Sequence, residues 1–135
     1  MGSALAGTVV LVADDHSDRL EILTYLVSAE GGIVRSARTA REVLELLLTL
    51  TPDLMLLDIS MPDIDGYELL ATIRGIDRLR DVPAVAVTAH AYQDDKRRCA
   101  EAGFAEHIGK PYDPGALMDV VARLVVPKSG TVPKR

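Results

Sequence analysis

The chain reads Val9-Val10-Leu11-Val12-Ala13-Asp14-Asp15 near its start, an apolar run that ends in two adjacent acids. A run that is apolar at every position is typical of a β-strand covered on both faces, as in a parallel sheet. Similar apolar runs follow at residues 54–57 and 84–87, and weaker ones at residues 33–37 and 105–108. The sequence therefore predicts five strands, of which the more polar second strand lies near an edge of the sheet.

Apolar residues recur three and four positions apart between these runs, which predicts amphipathic helices. Thr39 and Glu42 have the spacing of a capping box, and the helix that they begin keeps its apolar spacing to Leu50. Asp113 as N-cap, followed by Pro114, predicts the start of the last helix. Strands that alternate with helices predict an α/β fold, a five-stranded parallel sheet with right-handed crossovers and helices on both faces.

The sequence also predicts where the first helix ends and how firmly the fourth helix is packed. The first is expected to end at Gly31-Gly32, because glycine readily adopts the left-handed conformation that follows a helix. The helix predicted at residues 91–102 contains a run of charged residues at 94–98, which leaves it little apolar face. We therefore expect this helix to be the least firmly packed of the set.

The composition limits the kind of protein this is. The chain has 135 residues, 48% hydrophobic and 26% charged, with a formal net charge of −5. A single cysteine, Cys99, excludes an internal disulfide and a cysteine-rich zinc site and is expected to pack in the interior. No apolar run reaches the roughly 18 residues that span a bilayer, and the acidic balance argues against direct binding to nucleic acid. We expect a cytoplasmic domain that binds neither membranes nor nucleic acid directly.

The length suits one domain. Residues 1–7 are expected to be a disordered N-terminal segment or an expression remnant, because they are small and contain two glycines. Residues 8–126 are expected to form the domain, and residues 127–135 a flexible tail or the stub of a linker.

Polar side chains follow four of the five predicted strands. Asp14 and Asp15 follow the first strand, Asp58 the third, Thr88 the fourth and Lys110 the fifth. Because the carboxyl ends of parallel strands meet at one edge of a sheet, where ligands bind in such folds, these groups are expected to converge. Three close carboxylates require a counter-charge, and an all-oxygen ligand set favours Mg²⁺ or a similar hard cation such as Mn²⁺. With Lys110, that cation would neutralise the pocket, which predicts phosphorylation of one aspartate.

These motifs resemble those of response-regulator receiver domains in two-component and phosphorelay signalling, from about Thr8 to Val125. The resemblance rests on four motifs in this order: Val12-Ala13-Asp14-Asp15; Leu57-Asp58-Ile59-Ser60-Met61-Pro62 followed by Asp65-Gly66; Val87-Thr88-Ala89; and Lys110-Pro111. It implies a flavodoxin-like, doubly wound sheet with strand order 2-1-3-4-5.

The resemblance also implies a role for each acidic residue. Asp58 matches the phosphoacceptor, which attacks the phosphorus of a phosphohistidine on a histidine kinase or a histidine phosphotransfer protein. Asp14 and Asp15 match the acids that hold Mg²⁺, together with Asp58 and the backbone carbonyl of Ser60. Lys110 matches the lysine that contacts the acyl phosphate. Asp63 and Asp65 are expected to serve the following turn and helix cap and are given no catalytic role.

A further set of positions matches the switch and the residues that tune the lifetime of the phosphoryl group. Thr88 and His107 match the switch pair, although relatives usually carry Tyr or Phe where His107 stands. Ser60 and His90 match the positions that tune hydrolysis. Phosphorylation is expected to shift the helix at residues 91–102, whose face an output partner would read. We expect a monomer or weak dimer that is not an enzyme in the conventional sense, although it catalyses its own aspartyl phosphorylation and dephosphorylation.

Three alternatives stay open at the level of sequence. The chain could be a receiver module of a hybrid sensor histidine kinase or another multidomain regulator. It could be a Mg²⁺-dependent phosphatase of small molecules, but enzymes of the haloacid dehalogenase type place Asp-x-Asp after the first strand, whereas Asp14 and Asp15 are adjacent. It could also be a receiver-like module that binds a partner without accepting phosphate, which the complete set of site residues disfavours.

Overall fold

Five parallel strands form one sheet in the computed structural model, which describes residues 5–88, 93–109 and 113–125, with no side-chain description at 93–95. In chain order the strands are β1 (Val9–Ala13), β2 (Ile33–Ala37), β3 (Leu54–Asp58), β4 (Ala84–Thr88) and β5 (Glu106–Gly109). They lie side by side as β2-β1-β3-β4-β5, and every neighbouring pair is parallel. The predicted strand order is confirmed, and so is the place of the polar second strand at an edge.

Within the residues that the structure describes, five α-helices connect or follow the strands. They are α1 (Ser17–Ala29), α2 (Ala40–Leu46), α3 (Gly66–Arg74), α4 (Gln93–Ala102) and α5 (Pro114–Leu124), with a short 3₁₀ turn at Asp77–Leu79. The first helix ends as predicted: Gly31 has φ +90°, and the N–H groups of Gly31 and Gly32 donate to the carbonyls of Ser28 and Val27. This is the Schellman pattern, in which a left-handed residue closes the helix.

The second helix is shorter than its apolar spacing predicted, since α2 ends at Leu46 and not near Leu50. The N–H groups of Leu48 and Thr49 donate three residues back, to Glu45 and Leu46, and that of Leu50 donates four residues back to Leu46, so the regular helix gives way to a mixed turn. Leu47 is nevertheless fully buried. The apolar spacing thus continues past the helix, while the chain turns toward Pro52, which disfavours helical conformation in the residue before it.

Helix capping follows the sequence in most details. Asp65 accepts a hydrogen bond from the N–H of Glu68 (2.9 Å), and Asp113 accepts one from the N–H of Ala116 (2.9 Å). The capping box of α2 is half formed, because the hydroxyl of Thr39 accepts the N–H of Glu42 at 3.1 Å. The Glu42 carboxylate, however, accepts the N–H of Arg38 (2.8 Å), one residue before the N-cap.

The two faces of the sheet carry separate apolar layers. Alternate strand residues such as Val10, Leu56 and Val87 lie in one layer with the buried residues of α1 and α5. Intervening strand residues lie in the other layer, with residues of α2 and α3, and with Cys99 and Phe104. Helices therefore cover both faces of the sheet, as predicted.

The structure describes part of the N-terminal segment but not the C-terminal tail. Residues 5–7, expected to belong to a disordered segment, form a turn in which Leu5 is fully buried and donates its N–H to the carbonyl of Glu30 (2.9 Å). Residues 1–4, residues 91–92 of the predicted helix 91–102 and the tail at 127–135 lie outside the described residues. No helix in the described part is long and apolar enough to cross a membrane.

Candidate functional site

Three acids meet at the carboxyl ends of β1 and β3. These strands are neighbours in which Ala13 pairs with Leu57, so that Asp14 and Asp58 follow at adjacent strand ends. Asp14 and Asp58 are buried, whereas the side chain of Asp15 is 40% exposed. One carboxylate oxygen from each of the three acids lies within 4.8 Å of the others. The structure therefore brings together the three acids that the sequence pointed to.

Backbone N–H groups orient the two buried carboxylates. Asp14 Oδ1 accepts the N–H of His16 at 2.8 Å, and Asp58 Oδ1 accepts the N–H of Ser60 at 3.1 Å. Each bond joins an acid to the residue two positions later, the local pattern by which aspartate stabilises a turn. Each acid therefore serves the turn after its strand as well as facing the pocket.

Arg19, on the first turn of α1, also contacts the acids, and the sequence reasoning missed it. Its Nε lies 3.1 Å from Asp14 Oδ2 and its Nη2 lies 3.2 Å from Asp14 Oδ1. Nη2 is also 4.0 Å from Asp15 Oδ1. The hydrogen bond with Asp14 raises the pKa of Arg19, and the charges of Asp14, Asp58 and Asp15 act in the same direction. The spacing of four residues between Asp15 and Arg19 was a signal that could have found it.

The start of α3 packs directly against the segment that carries Asp58. The N–H of Gly66 donates to the carbonyl of Ile59 at 2.8 Å. A Cβ atom on Gly66 would lie 2.8 Å from Ile59 Cα and 3.0 Å from the Asp58 carbonyl oxygen. Only glycine fits this approach, so Gly66 is part of the support of the pocket.

Thr88 and His107 lie on the same face of the sheet. Thr88 is the buried last residue of β4 and pairs with Gly109 of β5, while His107 pairs with Ala86. Since side chains alternate along a strand, Ala86, Thr88 and His107 share the face that α4 covers. Half-buried His107 lines a cavity of about 180 Å³ there, together with Lys96 and Cys99 of α4 and with Phe104.

The remaining predicted site residues are less fully described. Lys110 and His90 lie outside the described residues. Ser60 is exposed, and its N–H bonds to Asp58, but the role expected of its carbonyl stays a prediction. Carboxylate oxygens are the donors that hard divalent cations prefer, so the chemistry of the three acids fits Mg²⁺ or Mn²⁺.

This chain is similar to known proteins in both sequence and structure. The response regulator receiver domain family matches residues 10–122. An uncharacterized 14.6 kDa protein of Leptolyngbya boryana is 37% identical over 117 residues, which cover 87% of this chain and 89% of that protein. The polar-differentiation response regulator DivK of Brucella anthropi is 32% identical over 102 residues, which cover 76% of this chain and 83% of DivK.

A solved structure extends the likeness to the backbone. The signal receiver domain of a signal transduction histidine kinase from Syntrophus aciditrophicus has a TM-score of 0.82 and 28% identity, and the match covers 95% of this chain and 98% of that domain. The family match includes the acidic pocket described above and all five strands except Val9, the first residue of β1. This chain belongs to the response regulator receiver domain family of two-component signalling.

Proposed function

We propose that Asp58 accepts a phosphoryl group in a Mg²⁺-dependent reaction and that Asp14 and Asp15 hold the cation. The observation that carries this proposal is the meeting of the three carboxylates within 4.8 Å at the ends of two neighbouring strands. Close like charges disfavour full ionisation unless a cation balances them. A bound Mg²⁺ would supply that balance and neutralise the oxygens of an incoming phosphoryl group.

The chain's own residues prepare the reaction. The hydrogen bond from the Ser60 N–H holds the rotation of the Asp58 carboxylate at the end of β3. An Asp58 oxygen would form a bond to phosphorus while the bond between phosphorus and the histidine nitrogen of the donor breaks, and the nitrogen keeps the electron pair. Lys110 would contact the acyl phosphate, and Thr88 would turn its hydroxyl toward it.

The donor proposed is the phosphohistidine of a histidine kinase or of a histidine phosphotransfer protein. DivK is a response regulator, and the similar receiver domain from Syntrophus aciditrophicus is part of a histidine kinase. Both a separate regulator and a receiver module of a larger kinase are therefore compatible with the likeness. We propose for either case that residues 8–126 form a cytoplasmic receiver that is a monomer or weak dimer, with an output partner of unidentified nature.

The switch and tuning roles are part of the same proposal. Thr88 and His107 share the face of the sheet under α4, so a movement of Thr88 toward the phosphoryl group would change the packing beside His107. Ser60 and His90 would tune hydrolysis of the acyl phosphate. In this proposal the domain is a self-modifying switch and turns over no separate substrate.

The test treats the purified protein with acetyl phosphate or phosphoramidate and Mg²⁺ and measures its intact mass. One phosphoryl mass should appear, and it should be absent without Mg²⁺ and in Asp58→Asn. The matched control is Asp81→Asn, which alters an exposed acid before β4 and should leave the gain unchanged. Persistence of the mass gain in Asp58→Asn would disprove the assignment, and steady turnover of phosphomonoesters would favour a phosphatase instead.

A further inference from the structure

Arg19 forms a two-nitrogen ion pair with Asp14, the first of the three acids along the chain. Its guanidinium meets Asp14 through two nitrogens, at 3.1 and 3.2 Å, in the fork geometry that arginine forms with carboxylates. The Arg19 side chain is 35% exposed, while that of Asp14 is 1% exposed. The charge of Arg19 therefore reaches a buried carboxylate from the rim of the pocket.

The hydrogen bonds on Asp14 leave little room for another ligand. A carboxylate has about four acceptor positions, two on each oxygen. Oδ1 accepts from the His16 N–H and from Arg19 Nη2, and Oδ2 accepts from Arg19 Nε. At least three positions are therefore in use, two of them by Arg19. A divalent cation bound to Asp14 would also lie close to the guanidinium and would repel it.

We propose that Arg19 is an internal counter-cation that competes with the divalent metal for Asp14 and Asp15 and thereby lowers the affinity of the receiver for Mg²⁺. The inference rests on the metal site of the proposed function. Arg19 acts through the two acids and is a positioning residue that sets how much metal the domain needs.

Competition has a consequence for stability as well as for binding. Without metal, Arg19 offsets the repulsion between the acids, so that its removal should lower the thermal midpoint of the metal-free protein. With saturating Mg²⁺ the cation itself offsets that repulsion. Because a ligand stabilises the folded state more when it binds more tightly, the increase in midpoint caused by Mg²⁺ should be larger in Arg19→Gln than in the native chain.

The experiment titrates Mg²⁺ into the unphosphorylated full chain by calorimetry, for the native protein, Arg19→Gln and Arg19→Lys. Arg19→Gln should bind Mg²⁺ about three- to tenfold more tightly, as expected for removing one partly exposed charge beside a divalent ion. Arg19→Lys keeps the charge but loses the fork and should lie in between. The matched control is Arg38→Gln, because the Arg38 guanidinium reaches only the backbone carbonyl of Asp15 among the contacts described, at 3.4 Å. The affinity of Arg38→Gln for Mg²⁺ should differ from that of the native chain by less than about twofold.

Each outcome decides the proposal. Unchanged or weaker binding in Arg19→Gln overturns it while leaving the metal site intact, and an equal gain in Arg38→Gln overturns it because any nearby positive charge would then suffice. Absence of Mg²⁺ binding in every variant overturns both the inference and the proposed metal site. If Arg19→Gln does not fold, Arg19→Lys takes its place. The proposal is then overturned if Mg²⁺ raises the thermal midpoint of Arg19→Lys by no more than it raises that of the native chain.

Discussion

Gly66 shows how a single residue supports the acceptor segment from outside the acidic pocket. Its Cα faces the backbone of Ile59, and an added Cβ would come within 2.8 Å of Ile59 Cα and 3.0 Å of the Asp58 carbonyl oxygen. A methyl group there must push the start of α3 away from the strand that carries Asp58. Such overpacking costs about 1–3 kcal/mol in well-packed sites.

We therefore expect Gly66→Ala to lower the free energy of unfolding by about 1–3 kcal/mol, measured by urea denaturation, and to slow phosphorylation by acetyl phosphate. Gly75→Ala is the control, since Gly75 has φ −77° and a Cβ there would meet only Thr72 and Ala71 carbonyls, at 3.3 Å or more. The free energy of unfolding of Gly75→Ala should lie within about 0.5 kcal/mol of that of the native chain. Equal stability of the two variants would contradict a packing role for Gly66.

At the scale of single residues, the sequence predicted the positions of the three acids but not the contacts that Arg19 and Gly66 make beside them. Asp14, Asp15 and Asp58 follow apolar strands, and strand ends meet at one edge, so their convergence follows from topology. The contact of Arg19 with Asp14 depends on the rotamer of a long side chain and on how α1 leaves β1. The close approach of Gly66 depends on the path of the chain between β3 and α3. The four-residue spacing of Asp15 and Arg19 indicates an ion pair between those two residues, but no short pattern encodes the two-nitrogen contact with Asp14 or the close approach of Gly66.

The start of α2 shows how one element is secured by another. The carboxylate of Asp63, in the loop after β3, accepts the N–H of Ala40 at 3.0 Å and that of Arg41 at 2.9 Å. The hydroxyl of Thr39 accepts the N–H of Glu42. The first N–H groups of a helix have no partner within it, and here three in succession are bonded. The seven-residue helix α2 is therefore tied to the loop that follows Asp58.

This contact predicts a pH dependence of stability. The hydrogen bond from Ala40, followed by that from Arg41, lowers the pKa of Asp63. A carboxylate with a lowered pKa in the folded state stabilises the protein above its unfolded pKa of about 3.9, and that contribution is lost as the pH falls through the folded value. Asp63→Asn keeps one carbonyl acceptor but loses the negative charge at the start of α2, so it should destabilise the chain by about 0.3–1 kcal/mol at pH 7.

The measurement is urea unfolding of the native chain and Asp63→Asn between pH 7 and pH 3. The difference should be constant down to about pH 5 and should shrink below about pH 4, where the Asp63 carboxylate becomes protonated in the unfolded chain while it is still ionised in the folded one. Asp119→Asn, at an exposed position on α5, is the control. Its free energy of unfolding should differ little from that of the native chain at every pH. A difference for Asp63→Asn that grows toward low pH would contradict the argument.

The elements were predicted largely from their apolar spacing, and the errors have physical causes. Apart from Asp58 and Thr88 at the ends of β3 and β4, the three central strands are apolar, and they were placed within one residue of their bounds. The end of α2 was misplaced because Leu47 and Leu50 keep helical spacing beyond the helix. Arg78 donates to the carbonyls of Leu47 and Leu50, which occupies acceptors past the last helical residue. Such long-range capping cannot be read from local pattern.

Across the whole molecule, the acidic pocket and α4 are linked through β4 and β5. Asp58 lies at the end of β3, where Val87 is its pairing partner, and Thr88 follows at the end of β4. His107 lies two positions before Gly109, the pairing partner of Thr88, on the face that α4 covers. A change at Asp58 therefore has a short route to α4 through two adjacent strands.

The packing of α4 makes it the element most open to such a change. Of its side chains described, at 96–102, only Cys99 is buried, which agrees with the expected scarcity of apolar anchors. The helix is held to α3 by Arg98, whose Cζ lies 4.0 Å from the centre of the Tyr67 ring, and by the contact of the Tyr67 hydroxyl with Cys99 Sγ at 3.7 Å. Few buried apolar contacts are typical of segments that open locally at low free energy.

We therefore expect phosphorylation to change amide hydrogen exchange mainly across residues 93–109, with little change in β2, which lies at the opposite edge of the sheet from β5. The measurement compares exchange by mass spectrometry with and without acetyl phosphate and Mg²⁺. Thr88→Ala should still gain the phosphoryl mass but should lose most of the exchange response, because it lacks the hydroxyl proposed to turn toward the phosphate. Thr72→Ala is the matched control, since its hydroxyl bonds to the Glu68 carbonyl within α3, and it should keep the response. A response of native size in Thr88→Ala, or one spread evenly over the sheet, would contradict coupling through the end of β4.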